Sequence, residues 1–221
     1  MSINVAIDGP AGAGKSTLAR AAAGKLGYIY VDTGALYRSV AYYVLKMGKD
    51  PKNSGEVIAL LPGIRPELKY IDGVQHVFIN GEDVSEHIRT SEVSMNASAV
   101  SAIPEVRQFL FDIQKNIAAN NDIIMDGRDI GTVVLPDAQV KIYLTASDKV
   151  RAERRCAELV AKGENADFET VLEDIRRRDY NDMHRETAPL KQAEDAVLLD
   201  TSELDPEQSL SRLVEIIKSR I

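Results

Sequence analysis

A glycine-rich segment that ends in lysine and serine has the residue types of a phosphate-binding loop. It reads Gly9-Pro10-Ala11-Gly12-Ala13-Gly14-Lys15-Ser16. Glycines let backbone N–H groups turn inward around phosphate oxygens, and a helix beginning at the end of the loop adds partial positive charge. We expect Lys15 to be exposed in the loop and to reach the β- and γ-phosphates of a nucleotide, and the Ser16 hydroxyl to hold a magnesium ion. A glycine-rich turn without a ligand is the plain alternative.

The flanking segments supply the strand and helix that such a loop needs. An apolar run, residues 3–7, precedes it, and helix-forming residues follow from Thr17. Four more apolar runs are predicted strands, at residues 28–31, 123–125, 140–144 and 197–199. Apolar strands that alternate with helices predict an α/β fold, in which a five-stranded parallel sheet is flanked by helices.

Acidic residues follow three of these strands, at Asp8, Asp32 and Asp126. Ligands of parallel sheets bind beyond the carboxyl ends of the strands, so chemistry is expected there. Asp32 or Asp126 is expected to orient the magnesium ion through water. Arg128 beside Asp129 offers a phosphate donor next to a carboxylate on the metal side. The alternative at each position is a polar turn.

The middle of the chain interrupts the alternation of strands and helices. Asp72-Gly73 and Asn80-Gly81 are tight-hairpin signals that separate predicted strands at 68–71, 74–79 and 82–84. Residues 91–103 are small and polar, and no element is predicted there. A small antiparallel insertion is therefore expected.

Helices are predicted on both sides of this insertion. The first ends at Gly27, a residue suited to left-handed backbone, and Asp167 is expected to cap a later one. The other predicted helices span residues 34–47, 104–119, 148–162, 168–184 and 206–219.

Two groups of arginines point to a second anionic substrate. Arg178, Asp182 and Arg185 are spaced four and three residues apart, which places them on one helix face. Guanidinium groups can neutralise the equatorial oxygens of a transferring phosphoryl group. Solvated charged stripes are the alternative for each group. The second group, on one face of the preceding helix, is Arg151, Arg154 and Arg155.

Composition narrows the function classes. The chain has 221 residues, 44% of them hydrophobic, and a net charge of -7, which argues against a nucleic-acid polymer as partner. The single cysteine, Cys156, excludes an internal disulfide. Its thiol is expected to be packed and chemically inert. The three histidines lack zinc-ligand spacing. No apolar run is long enough to cross a bilayer and no signal-peptide pattern is seen, so cytoplasmic location without membrane attachment is expected.

A phosphate-binding loop alone does not name a reaction. The Asn-Lys-x-Asp segment that reads guanine in GTPases is missing, which argues against a GTPase. A kinase for another nucleoside monophosphate or a small metabolite stays open, as does a non-catalytic nucleotide-binding switch. The arginine-rich acceptor side argues against the switch.

Over essentially its whole length the sequence resembles the bacterial cytidylate kinases. The most specific mark is Asp126-Gly127-Arg128-Asp129-Ile130-Gly131-Thr132-Val133-Val134. The others are the phosphate-binding loop with Ile7-Asp8 before it, Asp32-Thr33-Gly34-Ala35-Leu36-Tyr37-Arg38, Glu82-Asp83-Val84 with Ile88-Arg89-Thr90, and Arg178-Asp179 through Arg185 to Ala188-Pro189-Leu190.

The resemblance implies a nucleoside monophosphate kinase fold with central strand order 2-3-1-4-5. It implies one kinase domain, with a core at about 1–61 and 104–221, a monophosphate-binding insertion at about 62–103 and a helical lid at about 150–185. It also implies transfer of phosphate from ATP to CMP or dCMP with Mg²⁺, by a monomer.

The resemblance further implies roles for individual residues. It places ATP on residues 9–17, including Thr17, with Arg151, Arg154 and Arg155 in the lid over the transferring phosphoryl group. It places the CMP phosphate or sugar on Thr33, Arg38, Arg128, Arg178 and Arg185, and the cytosine side on Ser98, Arg107 and Asp182. The residues expected to take part in catalysis are Lys15, Arg128, Asp129, Arg178 and Arg185.

Overall fold

The structure, a computed structural model, describes residues 2–161 and 163–221. The strands are β1 Asn4–Asp8, β2 Ile29–Asp32, β3 Pro66–Ile71, β4 Val74–Ile79, β5 Glu82–Asp83, β6 Ile123–Gly127, β7 Val140–Thr145 and β8 Val197–Asp200. The helices are α1 Lys15–Leu26, α2 Thr33–Lys46, α3 Ser54–Leu60, α4 Ser91–Ser101, α5 Pro104–Asn120, α6 Asp148–Ala161, α7 Phe168–His184 and α8 Pro206–Lys218.

The main sheet has five strands in the order β2-β6-β1-β7-β8. Numbered along the chain within this sheet, the strands run 2-3-1-4-5, which confirms the expected order. Strand β1 is central and pairs in parallel with β6, Ile7 opposite Asp126, and with β7, Asp8 opposite Tyr143. The carboxyl ends of β1 and β6 therefore lie side by side, and each ends beside a segment that was expected to carry chemistry.

The chain divides into two compact units, Met1–Tyr30 with Asn121–Ile221 and Val31–Asn120. The core of the first unit is formed by apolar residues of β1, α1, β7 and α8, among them Ile7, Ala19, Ile142 and Leu213. The core of the second unit joins α2 to the insertion and to α5, since Leu36 and Val40 cluster with Val77 and Leu110. The expected division of the chain into a core, an insertion and a lid is a different division from these two units, and it stays a proposal.

Local sequence signals set most boundaries of the helices. Gly27 ends α1 in the left-handed region, with φ 73°. The Asp167 side chain accepts a hydrogen bond from the Thr170 N–H and begins α7. Both were expected from sequence and both are confirmed.

The antiparallel insertion is confirmed as a three-stranded sheet in the order β3-β4-β5. Asp72 and Gly73 have φ values of 51° and 77°, and Asn80 and Gly81 have values of 53° and 84°. Consecutive left-handed residues of these types make the tight turns that join antiparallel strands.

Two helices of the second unit, α3 and α4, were not expected. Helix α4 lies in the stretch of small, polar residues, where Thr90 caps it by accepting from the Val93 N–H at 3.2 Å. It is stabilised by packing against α2, with Val93 and Val100 buried. Its tertiary contacts outweigh the weak apolar periodicity of its sequence.

Candidate active site

The glycine-rich loop connects β1 to α1 through left-handed backbone. Gly12 and Gly14 have φ values of 73° and 86°, which other residues rarely adopt. A Cβ at Gly9 would clash with the carbonyl oxygen of Leu144 on β7, so only glycine fits there. Gly14 begins α1 without a capping side chain, which suits the first N–H groups of the helix to an anion.

Lys15 is buried, with 5% of its surface exposed, and the expectation of an exposed lysine is wrong. The loop folds back over the side chain, and Nζ donates a hydrogen bond to the Pro10 carbonyl at 2.7 Å. Burial, and then the charge of Arg128, lower the pKa of Lys15 to about 7, although Asp126, Asp182 and Asp8 oppose this change. Lys15 is therefore buried within the glycine-rich loop, and its ammonium group loses a proton more readily than that of an ordinary lysine.

This lowered pKa predicts that nucleotide binding takes up a proton. At pH 8 the free protein should hold Lys15 mostly neutral, and phosphate oxygens would favour its charged form. We expect calorimetric titration with ATP at pH 8, in buffers of different ionisation enthalpy, to show uptake of roughly one proton. Lys15→Met should abolish most of this uptake. Equal enthalpies in all buffers would contradict a lowered pKa.

The same lysine should make stability depend on pH. In the unfolded chain Lys15 keeps its proton up to its ordinary pKa of 10.5, whereas in the folded chain it loses the proton near 7. The unfolded state therefore binds more protons between these pH values, so the free energy of unfolding rises with pH in this range. The free-energy cost of burying Lys15 is full below pH 7 and is relieved as pH rises toward 10.5.

A carboxylate of β6 lies against the exposed serine that follows Lys15. The Ser16 hydroxyl donates to Oδ2 of Asp126 at 2.9 Å, and the Tyr30 hydroxyl donates to Oδ1 at 3.0 Å. A hydroxyl and a carboxylate beside a phosphate-binding loop are hard oxygen donors of the kind that bind Mg²⁺ together with substrate phosphates. This donor set fits the ion, and it favours Asp126 as the carboxylate beside Ser16. Tyr30 was not predicted, because in sequence it is one more residue of a buried strand.

Asp8, the last residue of β1, holds the segment that follows β6. Its two carboxylate oxygens accept from the N–H groups of Ile130 and Gly131, each at 2.7 Å. Burial raises the pKa of Asp8 to about 6, although both hydrogen bonds lower it. Beyond Asp129 the chain makes a π-helical turn, Ile130–Val134. Asp8 therefore ties the strand before the loop to the segment that carries Arg128.

Two of the predicted arginines make ion pairs with predicted carboxylates. Arg128 Nε donates to Asp182 Oδ2 at 2.9 Å, and Arg185 Nη2 donates to Asp129 Oδ1 at 3.1 Å. Burial would raise the pKa of Asp182, but Arg128 holds it below its usual value. Arg185 lies one residue beyond α7 in extended backbone, so the expectation that it shares a helix face with Arg178 and Asp182 is wrong. Its Nε also donates to the Ala188 carbonyl. Arg178 is a partly buried residue of α7.

The three arginines of α6 make different contacts. Arg151 is buried, pairs with Asp179 at 2.7 Å and donates to the Ala11 carbonyl of the phosphate-binding loop at 2.8 Å. Arg154 donates to the Thr201 carbonyl, and Arg155 pairs with Glu158 on the surface. In this structure Arg151 therefore braces the loop. The role of all three toward ATP stays a prediction.

In the second unit, the end of β2 and the start of α2 form a compact polar cluster. Asp32 caps α2 by accepting from the Ala35 N–H at 3.0 Å, and its other oxygen pairs with Arg38 at 2.7 Å. A Cβ at Gly34 would lie 2.9 Å from Arg38 Nη1, so glycine leaves room for this pair. Thr33, between the cap and Gly34, is buried.

The other predicted residues of this unit lie on α4 and α5. Arg107 is buried, donates to the Ser101 carbonyl at 3.3 Å and lies over the Tyr37 ring, 5.6 Å from its centroid. The Ser101 hydroxyl donates to the Ser98 carbonyl, so Ser98 is one turn from the carbonyl that Arg107 contacts.

The histidines take no part in these clusters. His76 pairs with Asp83 in the insertion sheet, His87 stacks on Tyr42, and His184 stacks on Tyr180. Within residues 2–161 and 163–221, no group of three or more His, Cys, Asp or Glu residues is arranged to hold a metal ion. In the same described ranges, no helix has the length and apolar character to cross a membrane.

Comparison with known proteins identifies the family. The family model for cytidylate kinase matches residues 5–219. This chain belongs to the cytidylate kinase family. It is 50% identical to the cytidylate kinase of Caldicellulosiruptor bescii over 214 residues, which cover 97% of this chain and 95% of that one. It is 52% identical to the cytidylate kinase of Streptococcus agalactiae over 203 residues, which cover 91% and 89%.

A solved structure supports the fold. The shikimate kinase of Bacteroides thetaiotaomicron has a TM-score of 0.50 and 16% identity, with 98% of each chain covered. At this identity the likeness concerns the fold alone. Membership of the cytidylate kinase family makes the chain an ATP-dependent phosphotransferase.

Proposed function

We propose that this protein transfers the γ-phosphoryl group of ATP to CMP or dCMP, with Mg²⁺, and releases ADP with CDP or dCDP. The observation that carries the proposal is the family match over residues 5–219. Its physical support is that Lys15, Asp126, Arg128 and Asp182 interact electrostatically within one unit.

The proposed reaction needs charge neutralisation more than proton removal. The attacking group is a phosphate oxygen of CMP, and its second pKa of about 6 leaves it mostly ionised near neutral pH. Lys15 would bind the β- and γ-phosphate oxygens, and Arg128, Arg178 and Arg185 would neutralise the acceptor phosphate and the transferring group. Alignment and preorganised positive charge are then the main sources of rate enhancement.

The Ser16 hydroxyl and the Asp126 carboxylate would hold the magnesium ion with the phosphates of ATP. When bound, the ion neutralises charge that develops on the phosphate oxygens. Tyr30 would keep the Asp126 carboxylate turned toward Ser16, because its hydroxyl occupies the other carboxylate oxygen.

The proposed contacts of the acceptor nucleotide follow the roles that the family resemblance implies. In the first unit, Arg128, Arg178 and Arg185 would bind its phosphate or sugar, with Asp182 toward the sugar or cytosine. In the second unit, Thr33 and Arg38 would bind its phosphate side, and Ser98 and Arg107 its base. Arg151, Arg154 and Arg155 would close over the transferring group as part of a lid that excludes water.

The direct test is product formation. The protein is incubated with ATP, Mg²⁺ and CMP, and the nucleotides are separated by ion-exchange chromatography. Equal amounts of ADP and CDP are expected, with little ADP when CMP is omitted. ADP without CDP would mark an ATPase, and tight nucleotide binding without any product would mark the binding switch.

Base choice provides a second prediction. Cytosine presents an N4 amino donor where uracil presents an acceptor oxygen, and a site built for one leaves a buried polar atom unpaired with the other. Ser98→Ala or Arg107→Met should therefore narrow the ratio of kcat/KM for CMP over UMP, with little change in KM for ATP.

The Arg107 variant keeps an apolar stem beside Tyr37, and Gln108→Met at the next, exposed position of α5 is its control. An unchanged ratio in both Ser98→Ala and Arg107→Met would mean that the base is recognised elsewhere.

A further inference from the structure

A glutamine of the insertion sheet holds the main chain at the end of β2. Gln75 Oε1 accepts from the Asp32 N–H at 2.9 Å, and Gln75 Nε2 donates to the Asp32 carbonyl at 3.3 Å. Both ends of one amide thus bind both peptide groups of one residue. This contact fixes the backbone at the point where β2 ends and α2 begins.

Strand β4 places Gln75 for this contact. Side chains alternate along a strand, so Gln75 shares a face with Val77 and Ile79, which are both in the core of the second unit. The strand is thereby anchored beside the glutamine. In sequence, Gln75 is the polar member of an otherwise apolar inward row.

Asp32 links this contact to the residues that are proposed to bind the acceptor nucleotide. One carboxylate oxygen caps α2, and the other pairs with Arg38 at 2.7 Å. Burial alone would raise the pKa of Asp32, but the Arg38 guanidinium holds it below its usual value. A shift of the Asp32 backbone would therefore move the start of α2, including Thr33, together with the Arg38 side chain.

We propose that Gln75 is a positioning residue for the acceptor nucleotide, which holds Asp32, and through it Thr33 and Arg38, in the geometry that binds the CMP phosphate. This inference rests on the proposed function, because Thr33 and Arg38 are proposed contacts of CMP. The antiparallel insertion then has a role in substrate binding: the hairpin of β3 and β4 sets the affinity for CMP, and the affinity for ATP does not depend on it.

Two substitutions of similar size separate the two hydrogen bonds. Gln75→Met removes both, and Gln75→Glu keeps an acceptor for the Asp32 N–H while turning a carboxylate oxygen toward the Asp32 carbonyl. We expect Gln75→Met to raise the Kd and the KM for CMP about five- to thirtyfold, with changes below about twofold in kcat and in KM for ATP. Gln75→Glu should raise the Kd for CMP at least as much.

The control is Gln192→Met, which removes an exposed amide that donates to the Ala196 carbonyl at 2.9 Å. It should leave the Kd for CMP unchanged. A direct structural readout is the hydrogen exchange of the Asp32 amide, which should accelerate in Gln75→Met because its acceptor is gone and should stay near the wild-type rate in Gln75→Glu.

Unchanged Kd for CMP in both Gln75 variants would overturn the inference, as would equal losses for CMP and ATP. The binding measurement does not depend on turnover. If the wild-type protein forms no CDP, the proposed reaction fails, and the change in Kd for CMP still decides the role of Gln75. If the wild-type protein forms CDP and the variants bind CMP normally, only the inference fails.

Discussion

Replacing Lys15 by methionine is expected to lower kcat by about a hundredfold to a thousandfold or more, because the variant loses positive charge at the transferring phosphoryl group. The methionine side chain fills much of the space that the apolar part of the Lys15 side chain occupies in the glycine-rich loop. The lowered pKa of Lys15 shows that its charged form is costly in the unliganded protein, so the melting temperature should stay level or rise.

Lys25→Met is the matched control, since Lys25 is an exposed residue in the last turn of the same helix. It should leave kcat and the melting temperature unchanged. The measurement is kcat at saturating ATP and CMP alongside thermal unfolding. A near-normal kcat for Lys15→Met would contradict the assignment of the glycine-rich loop as the site that binds the phosphates of ATP.

Arg185→Met is expected to lower both stability and the use of CMP. The side chains of Arg185 and Asp129 are 7% and 6% exposed, so removing the arginine takes one cationic partner away from a buried carboxylate. Breaking such a pair from one side costs about 3–5 kcal/mol of stability. Loss of a charge-assisted contact to the acceptor phosphate should also lower kcat/KM for CMP by about tenfold to a hundredfold.

The double variant Arg185→Met with Asp129→Asn separates these two effects when it is compared with Asp129→Asn alone, because Asp129 is itself an expected catalytic residue. Removing the second charge should restore much of the melting temperature, and kcat/KM for CMP should stay low. Arg212→Met, which breaks an exposed pair with Glu215, is the control and should change stability by less than about 1 kcal/mol. Recovery of activity together with stability would show that Arg185 supports the fold and does not bind substrate.

Arg178→Ala should weaken the use of CMP more than it weakens ATP binding. Arg178 is a partly buried residue of α7, and removal of a charge-assisted contact predicts a loss of about tenfold to a hundredfold in kcat/KM for CMP. The ratio of this loss to the change in Kd for ATP is the measurement. Normal kcat/KM for CMP would place Arg178 outside the acceptor site.

The parts of the fold that depend on local sequence were predictable. Apolar runs gave all five strands of the main sheet to within a few residues, and two pairs of left-handed turn residues gave the antiparallel insertion. Helix α4 was missed because its small residues gain stability from packing against α2, which no local pattern shows.

The site was predictable in its residue types more than in its contacts. The burial of Lys15 depends on the path of a loop, and the hydrogen bonds of Asp8 to Ile130 and Gly131 join positions more than 100 residues apart. Tyr30 and Gln75 lie in strands, where sequence marks them only as a buried aromatic and a polar exception. Their partners become visible only when the strands are assembled.

The proposed transfer to CMP or dCMP is tested most directly by kcat/KM for a panel of acceptors, CMP, dCMP, UMP, AMP and shikimate, at fixed ATP and Mg²⁺. We expect CMP or dCMP to be the best acceptor, UMP to be phosphorylated less efficiently, and AMP and shikimate to give rates near background. A higher kcat/KM for AMP or shikimate than for CMP and dCMP would contradict it.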